Sequence, residues 1–248
     1  VNSVAMATYQ GMPYLSQQLE SILSQMNAED EIVISDNGST DGTYEYLLAR
    51  AKEDTRICLF LYTDIRGAQA NFQNALLHCT GDIIFLADQD DIWLPNRAQT
   101  IRALFRSDLE LLAVQTDASL IDQDGVIMEE SFFRYRGCGA GVCKNIWKNT
   151  WQGCSMAFRK EILSAAIPFP TRIPMHDMWI GLLCELAGSV IFYPDILLLY
   201  RRHDSNVSQL TPARFSRRLA WRLTIIFQII RHIPSILRVR KLLKNRSF

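Results

Sequence analysis

The first ninety residues alternate. β-prone runs at residues 4–7, 31–35, 57–62 and 83–87 are separated by segments at 13–26, 44–52 and 69–78 with apolar residues at helical spacing, as Leu15, Leu19, Ile22 and Leu23 show. Strands that return through helices lie parallel, with right-handed crossovers. The expected architecture is therefore an α/β domain around a mainly parallel sheet. Residues 96–106 read as a further helix, and residues 111–121 and 126–133 as extended runs flanking the turn Asp122-Gln123-Asp124-Gly125. This second half is expected to add antiparallel strands, giving a mixed sheet. Residues 161–166 and 179–187 look helical, residues 190–192 and 196–200 look extended, and no internal repeat appears.

The tetrapeptide Asp88-Gln89-Asp90-Asp91 follows the apolar run 83–87 directly, so three carboxylates stand where a buried strand emerges. An open α/β sheet holds its ligand at that edge. Clustered carboxylates repel one another, and a divalent cation is the simplest way to offset this. The competing reading is an acidic turn capping the helix after Pro95. A calcium EF-hand loop is excluded, because Trp93 occupies the position that needs glycine and Gln99 the one that needs glutamate. Thr8-Tyr9-Gln10-Gly11 and the polar tract from Ser35 to Thr43 follow strands at the same edge, where a turn plus helix cap competes with a ligand loop. Met175-His176-Asp177-Met178-Trp179 sets a carboxylate and an imidazole beside a large aromatic, and Asp177 could equally be a helix N-cap. Tyr200-Arg201-Arg202-His203-Asp204-Ser205-Asn206-Val207-Ser208 groups the cationic, metal-competent and amide side chains that a diphosphate site needs. Neither a P-loop nor a G-x-G-x-x-G element is present.

With 248 residues, 48% of them hydrophobic, the chain can bury the core of one domain with an appendage. Its zero net charge hides a split. Residues 1–211 carry 16 basic against 26 acidic residues, whereas the last 37 residues carry ten basic and no acidic ones, as a tail with an anionic partner would. Within that tail Leu219, Leu223, Ile226 and Ile230 share one helical face with Phe227 beside them, Arg217 and Arg231 project elsewhere, and Pro234 is expected to break or kink the helix. The apolar stretch is far too short to span a bilayer. A basic amphipathic helix lying on an anionic membrane and a helix packed on the main domain are the alternatives, and no nucleic-acid partner is expected. The six cysteines show no C-x-x-C pair and the Val-Asn-Ser start shows no signal peptide, so reduced thiols in a cytosol are expected.

In this order, Thr8-Tyr9-Gln10-Gly11, Ser35 to Asp41, Asn71-Phe72-Gln73-Asn74-Ala75, Gly81-Asp82, Asp88-Gln89-Asp90-Asp91-Ile92-Trp93, His176-Asp177-Met178-Trp179 and Tyr200-Arg201-Arg202-His203 resemble the family 2 glycosyltransferases over roughly residues 3 to 208. These are inverting enzymes of the GT-A, or nucleotide-diphospho-sugar transferase, fold. The Asp-Gln-Asp-Asp-Ile-Trp and His-Asp-x-Trp forms look most like bacterial rhamnosyltransferase-like enzymes of O-antigen or capsule assembly. Asn37 stands where the family commonly has a second Asp.

The resemblance implies a GT-A catalytic domain at 1–211 and a C-terminal basic amphipathic extension at 212–248. It implies nucleotide-sugar binding by Thr8, Tyr9, Asp36, Asn37, Asn71, Asp88 and Arg201, and Mg²⁺ or Mn²⁺ on Asp90 and His203. Asp177 is the implied catalytic base, with Trp151, Gly153, His176 and Trp179 on the acceptor side. The implied partners are a nucleotide-diphosphate sugar, a polyprenyl-linked saccharide acceptor and the inner face of the plasma membrane, met from the cytoplasm through the basic C terminus. A nucleotidyltransferase and a non-catalytic nucleotide-sugar binding module remain as rival readings of the same motifs.

Overall fold

The computed structural model describes residues 1–203, 206 and 215–245, with the side chains of residues 215–217 left out. In chain order the elements are β1 (Asn2–Thr8), α1 (Leu15–Leu23), β2 (Glu31–Asp36), α2 (Thr43–Glu53), β3 (Ile57–Leu61), α3 (Ala68–His78), β4 (Ile83–Ala87), β5 (Ile92–Trp93) and α4 (Arg97–Ser107). There follow β6 (Leu111–Ile121), β7 (Ile127–Glu129), α5 (Phe132–Arg136), α6 (Val142–Trp147), β8 (Met156–Arg159), α7 (Leu163–Ala166), α8 (His176–Ala187), β9 (Ser189–Arg201) and α9 (Phe215–Lys244).

The nine strands form one sheet in the order β3-β2-β1-β4-β8-β6-β9-β5, with β7 paired to β6. Strands β1 to β4 are parallel to one another, as the βα alternation requires, and β9 is parallel to β6. β8 runs antiparallel between β4 and β6, which makes the sheet mixed. Side chains alternate across it: Val4 and Met6 of β1, Ile32 and Ile34 of β2 and Phe85 of β4 pack with Leu15, Leu19, Ile22 and Phe105 on one face. Ala5, Val33, Ile84 and Leu86 pack with Phe72, Trp179, Leu182 and Leu183 on the other.

Several elements differ from the expectation. The extended run expected at 126–133 is only β7, because Ser131 caps a new helix by accepting the Arg134 N–H at 3.1 Å while Asp117 accepts the Phe133 N–H at 2.9 Å. The two runs expected at 190–192 and 196–200 are one strand, and the register jump from Thr116↔Tyr193 to Asp117↔Ile196 absorbs Pro194 and Asp195 as a bulge. α9 runs through Pro234 instead of stopping at it. Ile225 before the proline and Ile236 and Val239 after it are buried against the domain and anchor both halves of the helix. α9 contacts α6, α7 and α8. The expected boundary at 211/212, and Asp204, Ser205, Val207 and Ser208 of the cationic tract, lie outside the described residues.

Candidate functional site

The parallel register brings three strand ends level. Thr8 pairs with Asp36 across β1 and β2, and Met6 pairs with Ala87 of β4, so the loops after Thr8, Asp36 and Ala87 share one edge. Thr8 donates its hydroxyl to Asp36 Oδ2 at 2.9 Å. Both Asp36 oxygens are also engaged by their own turn, Oδ1 by the N–H groups of Gly38 (3.0 Å) and Ser39 (2.9 Å) and Oδ2 by the Ser39 hydroxyl (2.7 Å). Asn37 donates to the carbonyls of Tyr62 and Ile65 and accepts the Gly67 N–H, tying the loop after β3 to this edge. Asn71 of α3 donates to the Thr8 carbonyl at 3.0 Å, and its buried Oδ1 has no hydrogen-bond partner among the described residues. Tyr9 is exposed, and its backbone is gripped by Gln89, whose amide donates to its carbonyl and accepts its N–H at 2.8 Å. Gln89 is therefore the spacer that docks the first loop on the acidic one, a role no sequence pattern marks.

Beyond Asp91 the chain turns back as β5, antiparallel to β9, with Ile92 opposite Leu199. This pairing carries the end of β9 to the acidic loop across more than a hundred residues. The Arg201 N–H donates to Asp91 Oδ1 at 2.9 Å, and His203 Nε2 lies 2.8 Å from Asp90 Oδ2, which also accepts from Asn206 at 3.1 Å. Tyr14 sits between the two cationic-tract residues, stacked on His203 at 5.1 Å and under the Arg201 guanidinium at 4.7 Å. The geometry corrects the diphosphate role expected for Arg201. The side chain is buried and donates to the carbonyls of Asp90, Asp122 and Gln123 and to Gln17 Oε1, so it ties the acidic loop and the turn after β6 to α1.

Asp88, Asp91 and Cys154 place potential ligand atoms within 4.8 Å of one another. Burial and the charges of Asp90 and Asp177 push Asp88 up to about 8, and burial with the charges of Asp90 and Asp88 pushes Asp91 well above the carboxylate range. Burial raises Asp90 too, against the pull of His203. Among the described residues, buried Asp91 Oδ2 has no donor in reach beyond the Cys154 thiol. Burial and the same carboxylates hold that thiol protonated, which leaves the two carboxylates as the cluster's donors. Oxygen donors suit a hard divalent cation. Behind the cluster lies Arg97, fully buried, bonded to Thr116 and to the Cys154 carbonyl, and lowered by burial to about 10.

Asp177 opens α8. Its Oδ1 accepts the Met178 N–H at 2.6 Å and its Oδ2 the Gly153 N–H at 3.0 Å, and burial, partly offset by these two bonds, raises it to about 6. Its charge adds to the rise at Asp88, after burial and Asp90, and both carboxyls are removed from solvent. His176 is buried between Phe72 (4.2 Å) and Phe169 (6.1 Å), both ring nitrogens lack a hydrogen-bond partner among the described residues, and burial lowers it to about 4.

The acceptor-side expectation for the two tryptophans meets buried side chains instead. Trp179 has no exposed surface and donates Nε1–H to the Ala166 carbonyl at 3.1 Å, so it belongs to the core. Trp151 is buried on the backbone of α8 at Gly181, where an added Cβ would fall inside the indole, and it donates to Glu185 Oε1 at 3.0 Å. Gly153 contributes its N–H to Asp177.

Residues 3–164 match the family described as Glycosyl transferase family 2. Over 212 residues, covering 83% of this chain and 79% of the other, the chain is 31% identical to the Escherichia coli UDP-Glc:alpha-D-GlcNAc-diphosphoundecaprenol beta-1,3-glucosyltransferase WfgD. Its fold is similar to that of S. aureus TarS 1-349 in complex with UDP, with a TM-score of 0.70 at 17% identity, over 100% of this chain and 72% of that one. It is also similar to the Pyrobaculum calidifontis mannosyltransferase PcManGT in complex with GDP-Man and Mn²⁺, with a TM-score of 0.59 at 22% identity, over 96% and 64%. The chain spans 65% and 45% of the lengths of two other curated relatives. The family match covers well over half of the chain and contains the acidic loop, and the WfgD relative is matched over more than two thirds of both chains. The chain belongs to glycosyl transferase family 2.

Proposed function

We propose that the chain transfers a sugar, with inversion, from a nucleoside-diphosphate donor to a hydroxyl of a saccharide acceptor. The observation that carries this reading is one sheet edge bearing two kinds of carboxylate, Asp90 paired with His203 and Asp177 held by backbone N–H groups within electrostatic reach of Asp88. Thr8 and Tyr9, backed by the Asp36 turn and Asn37, line the nucleotide pocket, with Asn71 Oδ1 as an open acceptor there and Asp88 facing the ribose. Asp90 and His203 hold a divalent ion, Mg²⁺ or Mn²⁺. When bound, that ion supplies positive charge for the leaving diphosphate. Asp177 takes the proton from the acceptor hydroxyl, whose oxygen attacks the anomeric carbon on the face opposite the diphosphate. The bond from that carbon to the diphosphate oxygen breaks with its electron pair leaving on the nucleotide. A carboxylate near 6 is a competent base at neutral pH, being ionised yet more basic than an ordinary aspartate. His176 forms the wall beside Asp177 on the acceptor side.

The WfgD relative's name includes a diphosphoundecaprenol-linked sugar, which supports a polyprenyl-linked saccharide as acceptor here, in bacterial surface-polysaccharide assembly. Such an acceptor lies at the inner face of the plasma membrane, where the basic C-terminal segment would be attracted to anionic lipid. The test is nucleoside diphosphate release from UDP-, dTDP- and GDP-sugars with Mn²⁺ or EDTA, with bacterial membrane extract as acceptor source. Metal-dependent release from one donor, stimulated by extract, is expected. Pyrophosphate release would instead mean nucleotidyl transfer, and nucleotide binding without turnover would mean a binding module.

A further inference from the structure

Two faces of α9 have opposite surroundings. Toward the domain, Ile225, Ile236, Val239 and Leu243 are buried, Arg222 donates to the Trp147 carbonyl at 2.7 Å and lies 3.9 Å over its ring, and His232 meets Trp179 edge-on at 5.1 Å. These contacts satisfy the packing of the helix on α6, α7 and α8. Away from the domain, Leu219, Leu223, Ile226, Phe227, Ile230, Ile233 and Leu237 are each between 42% and 61% exposed. At 100° per residue they fall within an arc of about 120°. Single exposed apolar side chains are ordinary, but seven large ones in one stripe mark a contact surface.

The stripe's charge neighbours identify the partner. Arg231, Arg238, Arg240, Lys241 and Lys244 are exposed beside it or just beyond its end, and no Asp or Glu occurs anywhere from 212 to 248. No described helix is long and apolar enough to cross a membrane. A second copy laid stripe to stripe would set these cations against their own kind. We infer that the outward stripe of α9 docks flat on a bilayer surface containing anionic lipid, the apolar side chains entering the headgroup boundary and the flanking cations meeting lipid phosphates. Because the opposite face of α9 is fixed to α8, whose first turn carries Asp177, docking also sets the tilt of the acceptor side relative to the membrane. The inference deepens the proposed function, since it rests on that reading for the acceptor brought to Asp177.

The experiment is co-sedimentation of the purified chain with vesicles of phosphatidylcholine alone or mixed with phosphatidylglycerol, beside nucleoside diphosphate release. Binding to mixed vesicles is expected, reduced more than about tenfold on pure phosphatidylcholine and more than about tenfold in Leu223→Ser/Ile230→Ser, both exposed side chains whose loss leaves the inner packing intact. Release with a water-soluble acceptor should be unchanged in that variant. Equal binding by wild type and variant, or no binding to anionic vesicles, would overturn the inference; light scattering showing a dimer that the variant dissolves would assign the stripe to a second copy. If the vesicle results hold and no donor turns over, the docking stands and the transferase reading fails.

Discussion

The two groups of carboxylates at the sheet edge are built in opposite ways. In the acidic loop, burial raises all three carboxyls, the charge of Asp90 adds to the rise at Asp88 and Asp91, and the side chain that most relieves Asp90 is the imidazole of His203, itself a metal-competent group. Asp177 stands without a carboxylate beside it in sequence, raised by burial and fixed by the N–H groups of Met178 and Gly153. One arrangement is a charge excess that a cation would offset; the other is a single proton acceptor with a locked orientation. On the proposed reading the same residue type would serve two chemistries, because one set faces its own kind and the other faces peptide dipoles.

The strongest way to break this contrast is to remove each charge separately. Asp177→Asn keeps the shape but not the base, and the turnover rate is expected to fall by about 10²- to 10⁴-fold while donor affinity stays within about twofold. Asp90→Asn should abolish the response to Mn²⁺ and weaken donor binding. Isothermal titration with the donor nucleotide decides the matter: equal loss of donor binding in both variants would mean that the two groups are one site.

The contrast also appears in stability. The folded pKa of Asp177, near 6, lies above an unfolded aspartate near 4, so ionisation favours the unfolded chain. Below pH 4 the group contributes nothing. Between pH 4 and 6 it destabilises progressively, reaching on the order of 2 to 3 kcal/mol above pH 6. Urea unfolding of wild type and Asp177→Asn across pH 4 to 7 should therefore show a gap that widens in favour of the variant and then levels off. A constant gap would mean that the carboxyl is not held in its raised state. Turnover should rise through pH 6 in the same window, because the base must be ionised.

His203→Ala should raise the Mn²⁺ concentration for half-maximal turnover by about 10- to 100-fold. Tyr14→Ala should move it in the same direction by less, since Tyr14 supports His203 by stacking and offers the ion no ligand at that contact. An unchanged metal requirement in both would separate His203 from the ion.

The sequence shows one of these groups more fully than the other. Parallel strands β1 to β4 and the acidic loop are legible because βα alternation and the apolar run 83–87 are local patterns. β8 is not, since four buried residues have no alternation to read, yet it is the strand that joins the two halves of the sheet. β5 has two residues, and its pairing with β9 brings His203 to Asp90, so that contact follows from topology rather than from spacing. The His-Asp motif marks Asp177, but nothing in Trp151 or Trp179 distinguishes a sugar platform from a core residue. Burial decides that, and burial is set by Gly181 and α9, remote in sequence from Trp151.

The smallest effect tests how Asp177 is held in place. Trp151 and Asn145 both donate to Glu185 Oε1, at 3.0 and 2.7 Å, and the Trp151 to Ser155 segment thereby rests on α8 with Gly153 aimed at Asp177. Glu185→Gln preserves an acceptor oxygen at that place and removes a carboxylate that burial already disfavours as an ion, so stability should change by less than about 1 kcal/mol and turnover hardly at all. Glu185→Leu strands both donors, at about 1 to 3 kcal/mol. Gly181→Ala pushes the indole off α8 and should match it at about 1 to 3 kcal/mol. If the segment only stabilises the fold, these two variants will unfold earlier with an unaltered pH profile. If it orients the base, both will also shift the turnover limb near pH 6, because the Gly153 N–H that partly offsets burial at Asp177 will have moved.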